Sequence, residues 1–212
     1  MKRKGVMHLI ISERKYPLRI LFNNAAISRL LPHHPKIPII LEDNRRKESG
    51  HIGEQRLDRL LTTKLPSKDY HIFQGLHIPN KDGTYFQIDN LLYTATHIIP
   101  TEVKYMSGEL TFDRASGQMI QRLNDKVIGY EDPLMQAEFQ VRQLRALLFK
   151  HGFPAIPIEP LVMMSNPNCI VKIENDPEAQ YRVCRGRQIL YRIEDFSYKY
   201  KKEILSPPML KN

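Results

Sequence analysis

The sequence predicts a mixed α/β fold, and three observations predict it. Leucines at helical spacing mark an amphipathic segment from Ser49 to Leu65. Strand-like apolar runs follow in close succession between Tyr70 and Gln121. A helix with its own start and stop signals, and then a further strand, occupy the stretch from Asp132 to Met164.

Taken in order, PLRILFNNAAISRLL (Pro17 to Leu31) has apolar residues at helical spacing, and LPHHPKIPII reads as a connection. Charged EDNRRKES closes this part, so residues 1–48 are expected to form an N-terminal helical extension. The core, 49–166, opens at SGHIGEQRLDRLLTTKL, where Leu57, Leu60, Leu61 and Leu65 line one helix face. YHIFQGLHI predicts a strand, and FQIDNLLYTATHIIPTEVKY predicts two more, Phe86 to Thr94 and His97 to Tyr105. LTFDRASGQMIQ suggests a hairpin around Ala115-Ser116-Gly117. In EDPLMQAEFQVRQLRALLFKHG, Asp132 suits an N-cap, Pro133 the first helical position and Gly152 the stop. AIPIEPLVMM predicts a strand, and 167–212 a C-terminal α/β extension packing on the core.

Composition bounds the function. With 212 residues, 42% hydrophobic and 26% charged, the chain can bury one sizeable core. The 32 Lys and Arg against 23 Asp and Glu give a net charge of +9, which favours polyanionic partners. Cys169 and Cys184 belong to no C-x-x-C or Cys/His cluster, which argues against a disulfide framework or zinc site and fits a reducing cytoplasm. The start, MKRKGVMHLIISERK, has a short apolar run closing on Ser12 to Lys15 without a cleavage pattern, so no leader is expected. No apolar run approaches the ~20 residues of a membrane span, and no membrane partner is expected. H-E-x-x-H, G-x-x-x-x-G-K-[ST] and G-x-S-x-G are all absent, which removes the zinc-protease, P-loop and serine-hydrolase readings.

The two strands of FQIDNLLYTATHIIPTEVKY place Asp89, Glu102 and Lys104 inside apolar runs. An antiparallel hairpin centred on Ala95-Thr96 sets Asp89 opposite Glu102 and Gln87 opposite Lys104. These four share one face, leaving Ile88, Leu92, Ile99 and Val103 for the other. Directly opposed carboxylates ~5 Å apart repel by roughly 3 kcal/mol at an effective dielectric of ~20. A divalent cation between them would offset that, and hard oxygen ligands suit Mg²⁺ or Mn²⁺. Lys104 could hold a water or phosphate oxygen beside the ion, enough for metal-assisted phosphodiester hydrolysis. The alternative is a solvated polar face with Lys104 neutralising one acid. Glu54 lies in the Leu57, Leu61, Leu65 stripe, as a site residue or as a first-turn glutamate satisfied by free backbone N–H groups. Gln136 shares a flank with Gln140 and Gln143, away from the apolar stripe of its helix, the usual position of solvated glutamines. Arg45-Arg46-Lys47, Arg142/Arg145, Arg182/Arg185/Arg187 and Lys199/Lys201/Lys202 are candidate phosphate contacts, or ordinary solvated charge.

G-E in HIGEQRLDRLL, Q-I-D in FQIDNLLY, E-V-K in TEVKYMSGEL and P-L-M-Q in EDPLMQAEFQ, in this order, resemble the nuclease-related domain (NERD) family of the PD-(D/E)XK restriction-endonuclease-like superfamily. The resemblance spans Ser49 to Asn166. It implies an endonuclease-like core with a central mixed sheet flanked by helices, and Mg²⁺-dependent cleavage of nucleic acid, DNA before RNA. By the same resemblance Asp89 and Glu102 are metal ligands, Lys104 positions the attacking water, and Glu54 and Gln136 complete the site. Asn90 stands where many relatives carry histidine, and Pro100-Thr101 interrupt the usual apolar run. A non-catalytic nucleic-acid-binding or interaction module on the same fold is the alternative, and the sequence leaves protein partners open.

Overall fold

Strands β3 (Tyr85–Tyr93) and β4 (Ile98–Lys104) form the expected antiparallel pair in the computed structural model of the chain, which describes residues 9–65, 70–80 and 83–206. The signal-like start at residues 1–8 and the end at 207–212 lie outside the described residues. The pairing sets Leu92 opposite Ile99 and Asn90 opposite Thr101, where the ladder ends. Pro100 sits inside β4 without disturbing this register. It falls between the isolated Ile98–Ile158 bridge and the first β4 ladder pair with the next strand, Thr101–Leu161, where no ladder bond needs its missing N–H.

Six strands make the central sheet, in the order β1 (Leu9–Ser12), β2 (His71–Pro79), β3, β4, β8 (Leu161–Met164), β10 (Val183–Arg185). The sheet is mixed: β2, β3 and β4 are antiparallel neighbours, while β1 on β2, β8 on β4 and β10 on β8 are parallel. Helix α3 (Pro133–Lys150) makes the crossover from β4 to β8. Its start follows from sequence, since Asp132 accepts the Leu134 N–H at 2.7 Å and Pro133 opens the first turn. Inserted before α3 are β5 (Glu109–Asp113), β6 (Gln118–Leu123) and β7 (Lys126–Glu131), which join β9 (Ile170–Ile173) in a second sheet ordered β7-β6-β5-β9.

Helices cover both faces of the central sheet. On one, Leu57 and Leu61 of α2 (Ile37–Lys64) and Ile193 and Phe196 of α5 (Gln188–Lys199), the helix after the short α4 (Pro177–Arg182), pack on Ile72, Leu92, Ile99 and Leu161. On the other, Val141 and Leu144 of α3 pack on Ile88, Leu91 and Ile98, while Leu134 and Ala137 pack on Val162 and Met164. Each such fully buried aliphatic side chain contributes ~1.5–3 kcal/mol. No helix among the described residues is long and apolar enough to cross a membrane.

The structure departs from the sequence reading in several places. The expected connection LPHHPKIPII and the charged EDNRRKES become the first half of α2, because Pro38 falls in the first turn, where a helix tolerates proline. The expected 17–31 helix is α1, shortened to Leu18–Ile27. The segment before residue 49 is not only helical, since β1 extends the central sheet beside β2. The AIPIEPLVMM strand shrinks to β8, with Pro157 and Pro160 confining what precedes it to the single bridge at Ile158. The exposed strand β7 went unread. Ile88 packs with the α3 cluster, not with Leu92, Ile99 and Val103. The β2–β3 pairing is interrupted between Gln74–Asn90 and Leu76–Ile88, at Gly75, whose φ is 66°. Beyond that break both Leu76 and Ile88 pack with the α3 cluster.

Candidate functional site

The break in the β2–β3 ladder and the end of the β3–β4 ladder meet at Asp89. Freed from regular pairing, the Asp89 carboxylate accepts the Val103 N–H at 2.9 Å and the Gln87 amide at 3.0 Å. Glu102 is 4% exposed and Asp89 7%. One Glu102 oxygen accepts from the Lys104 ammonium at 2.7 Å and the other from the Gln140 amide at 2.9 Å. Lys104 also donates to Gln136 Oε1 at 3.0 Å. The α3 cap at Asp132 places Gln136 one turn into the helix and Gln140 one turn further, so both reach β4.

Gln140 is therefore no solvated flank residue: it is 5% exposed and holds Glu102. Sequence reasoning passed over it because its flank was read as lying away from the apolar stripe and therefore as solvated. A buried carboxylate on the facing strand was the signal that its flank had a polar target.

Arg14, in the segment that follows β1, was also missed. Its guanidinium reaches Glu54 at 2.6 Å, Asp58 at 2.7 and 3.2 Å, and the Asp89 carbonyl oxygen at 2.7 Å. The available signal was the Glu54–Asp58 spacing, since acids at i and i+4 on a helix repel and call for a cation. Glu54 thus lies beside the site but is occupied by an ion pair. Gly53 lets α2 approach this closely, because a Cβ there would stand 2.7 Å from both Ser165 Oγ and Tyr105 Cβ.

Burial, then the nearby Glu102 and Glu54 carboxylates, push Asp89 up to about 7, against the Val103 N–H and Lys104. Burial likewise raises Glu54, aided by Asp58 and Glu102 and opposed by Arg14. The donor set fits a hard divalent cation of the kind that keeps much of its water: two nearly buried carboxylates whose mutual repulsion Lys104 relieves only in part, with the buried Gln140 Oε1 lacking any hydrogen-bond partner beside them. It is not a closed cage. Among the described residues no group of three or more His, Cys, Asp or Glu is arranged to hold a metal ion.

Of the basic patches, Arg45 and Arg46 pair with Glu42, Arg182 with Glu159 and Glu178, and Lys199 with Glu159. Arg142 and Arg145 form no ion pair among the described residues and line a 520 Å³ cleft with Phe149 and Phe153.

Residues 49–165 match the nuclease-related domain family, NERD. No curated protein and no solved structure matches the chain. The matched segment contains Glu54, Asp89, Glu102, Lys104 and Gln136, but begins well after Arg14.

Proposed function

Since the chain belongs to the nuclease-related domain family and carries a nuclease-like scaffold, we propose that it hydrolyses phosphodiester bonds of nucleic acid, DNA before RNA, using Mg²⁺ or Mn²⁺ held by Asp89 and Glu102. The observation that carries this reading is the arrangement on β3 and β4: two nearly buried carboxylates, one of them 2.7 Å from the Lys104 ammonium. When bound, the cation would polarise the phosphoryl oxygen and lower the pKa of a coordinated water. Lys104 positions that water and steadies charge developing on the phosphate. Gln136 orients the ammonium, and Gln140 fixes the Glu102 carboxylate through its second oxygen. The Val103 N–H holds Asp89 in its rotamer.

A second reading, a nucleic-acid-binding or interaction module that does not cleave, is favoured by the lack of any three-residue metal-holding group among the described residues. On that observation alone it is the better supported of the two, and it needs nothing from Lys104 beyond its charge. Incubating the pure protein with labelled DNA and RNA in Mg²⁺, Mn²⁺ or EDTA separates them. Cleavage that requires the cation supports hydrolysis; retained substrate with intact binding establishes the module.

A further inference from the structure

Arg14 is 6% exposed at its side chain, and each of its side-chain nitrogens is engaged. Its backbone N–H donates to Gln74 Oε1 at 3.1 Å, and its Nε and Nη2 grip both oxygens of Asp58. Nη1 takes Glu54 at 2.6 Å, and Nη2 reaches across to the Asp89 carbonyl oxygen at 2.7 Å. One cation thus collects acceptors from α2 and β3, as a metal ion would, and a guanidinium stays charged at any working pH. We infer that Arg14 is a built-in counter-cation that occupies the Glu54 side of the site and limits it to a single divalent ion.

This rests on the reading that Asp89 and Glu102 hold a cation. Both Asp58 oxygens and one Glu54 oxygen are committed to the guanidinium, so few donors remain there for a second ion. A second divalent charge placed beside them would also face Arg14 directly. Glu54 then acts as a positioning residue, through Arg14 and its hold on the Asp89 backbone, and not as a ligand.

Titrating the full chain with Mn²⁺ alone, followed by calorimetry and by loss of the free-ion spin resonance signal, tests this. Wild type should bind one Mn²⁺ per chain. Arg14→Gln, folded by circular dichroism, should bind two, because Glu54 and Asp58 are released beside Asp89. Glu54→Gln should still bind one ion, weakened by at most the roughly ten- to hundredfold that an outer-shell partner is worth. Two ions in wild type, one in folded Arg14→Gln, or loss of the single ion in Glu54→Gln would each overturn the inference while leaving cation-dependent cleavage standing. No Mn²⁺ in wild type would overturn both. Should Arg14→Gln fail to fold, wild type and Glu54→Gln decide the question.

Discussion

Lys104 shares its ammonium protons between Glu102 and Gln136, a geometry in which its charge is held in place by neighbours on β4 and α3. If it positions the attacking water, Lys104→Met should lower the cleavage rate by about a hundredfold or more, the order expected when one donor to the transition state is removed. Mn²⁺ binding should persist, because both carboxylates remain. Cleavage at the original rate would remove the role assigned to Lys104. His97 carries a different kind of consequence. It is 1% exposed, with Tyr70 Oη at 3.0 Å and Thr96 Oγ1 at 2.7 Å from its ring nitrogens, and burial lowers it to about 4 against the pull of Glu159. The folded state therefore favours the neutral ring. Its contribution is fully present above the unfolded pKa near 6.5 and lost as pH falls towards 4, ~3 kcal/mol in all. Denaturant unfolding across that range should show this loss in wild type and a flatter curve in His97→Gln; parallel curves would contradict it. At this scale Asp89, Glu102 and Lys104 were legible because strand alternation and a short hairpin fix their relations. Arg14 was not, since no local pattern ties it to residues forty positions away.

Helix α2 shows what an element adds. Its N-terminal half was illegible because prolines and a run of charges read as a connection, although the charges lie mostly on its exposed side. Its C-terminal half was legible from Leu57, Leu61 and Leu65, all buried against the sheet. Two glycines inside it separate packing from propensity. Gly53 faces the end of β4, where Ser165 bonds the Lys104 carbonyl, and has no room for a Cβ. A Cβ added at Gly50 would meet no neighbouring atom within 4 Å beyond its own helix. Gly50→Ala should therefore stabilise by up to ~1 kcal/mol through helix propensity. Gly53→Ala should destabilise by ~1–3 kcal/mol in spite of the same propensity gain, because α2 must shift from β4. Thermal melting of the two variants checks the pair. Equal and opposite shifts from wild type are not required, but Gly53→Ala melting above wild type would refute the close approach.

Across the whole molecule, the order of β2, β3, β4, α3 and β8 was legible because each is long or well bounded, and these elements carry the acid pair, Lys104 and both glutamines. The sheet edges were not: β1 has four residues and β10 three, too few for a periodic signal, and both lie outside the segment matched by the family. Charge has a similar hidden layer. The +9 total promises affinity for a polyanion, yet ion pairs divide the basic patches into two kinds. Arg45 and Arg46 already answer Glu42, whereas Arg142 and Arg145 answer no acid among the described residues. A phosphate contacting a paired arginine competes with a carboxylate, while one contacting a free arginine only displaces water and releases counterions. Affinity for DNA should fall steeply with salt, and reversing Arg142 and Arg145 together to Glu should flatten the plot of log affinity against log salt by about one unit for each phosphate no longer neutralised. Reversing Arg45 and Arg46 should change the slope less. Fluorescence anisotropy over a salt series measures both, and a larger effect from the Arg45/Arg46 pair would mean that the nucleic acid runs over α2, not along α3.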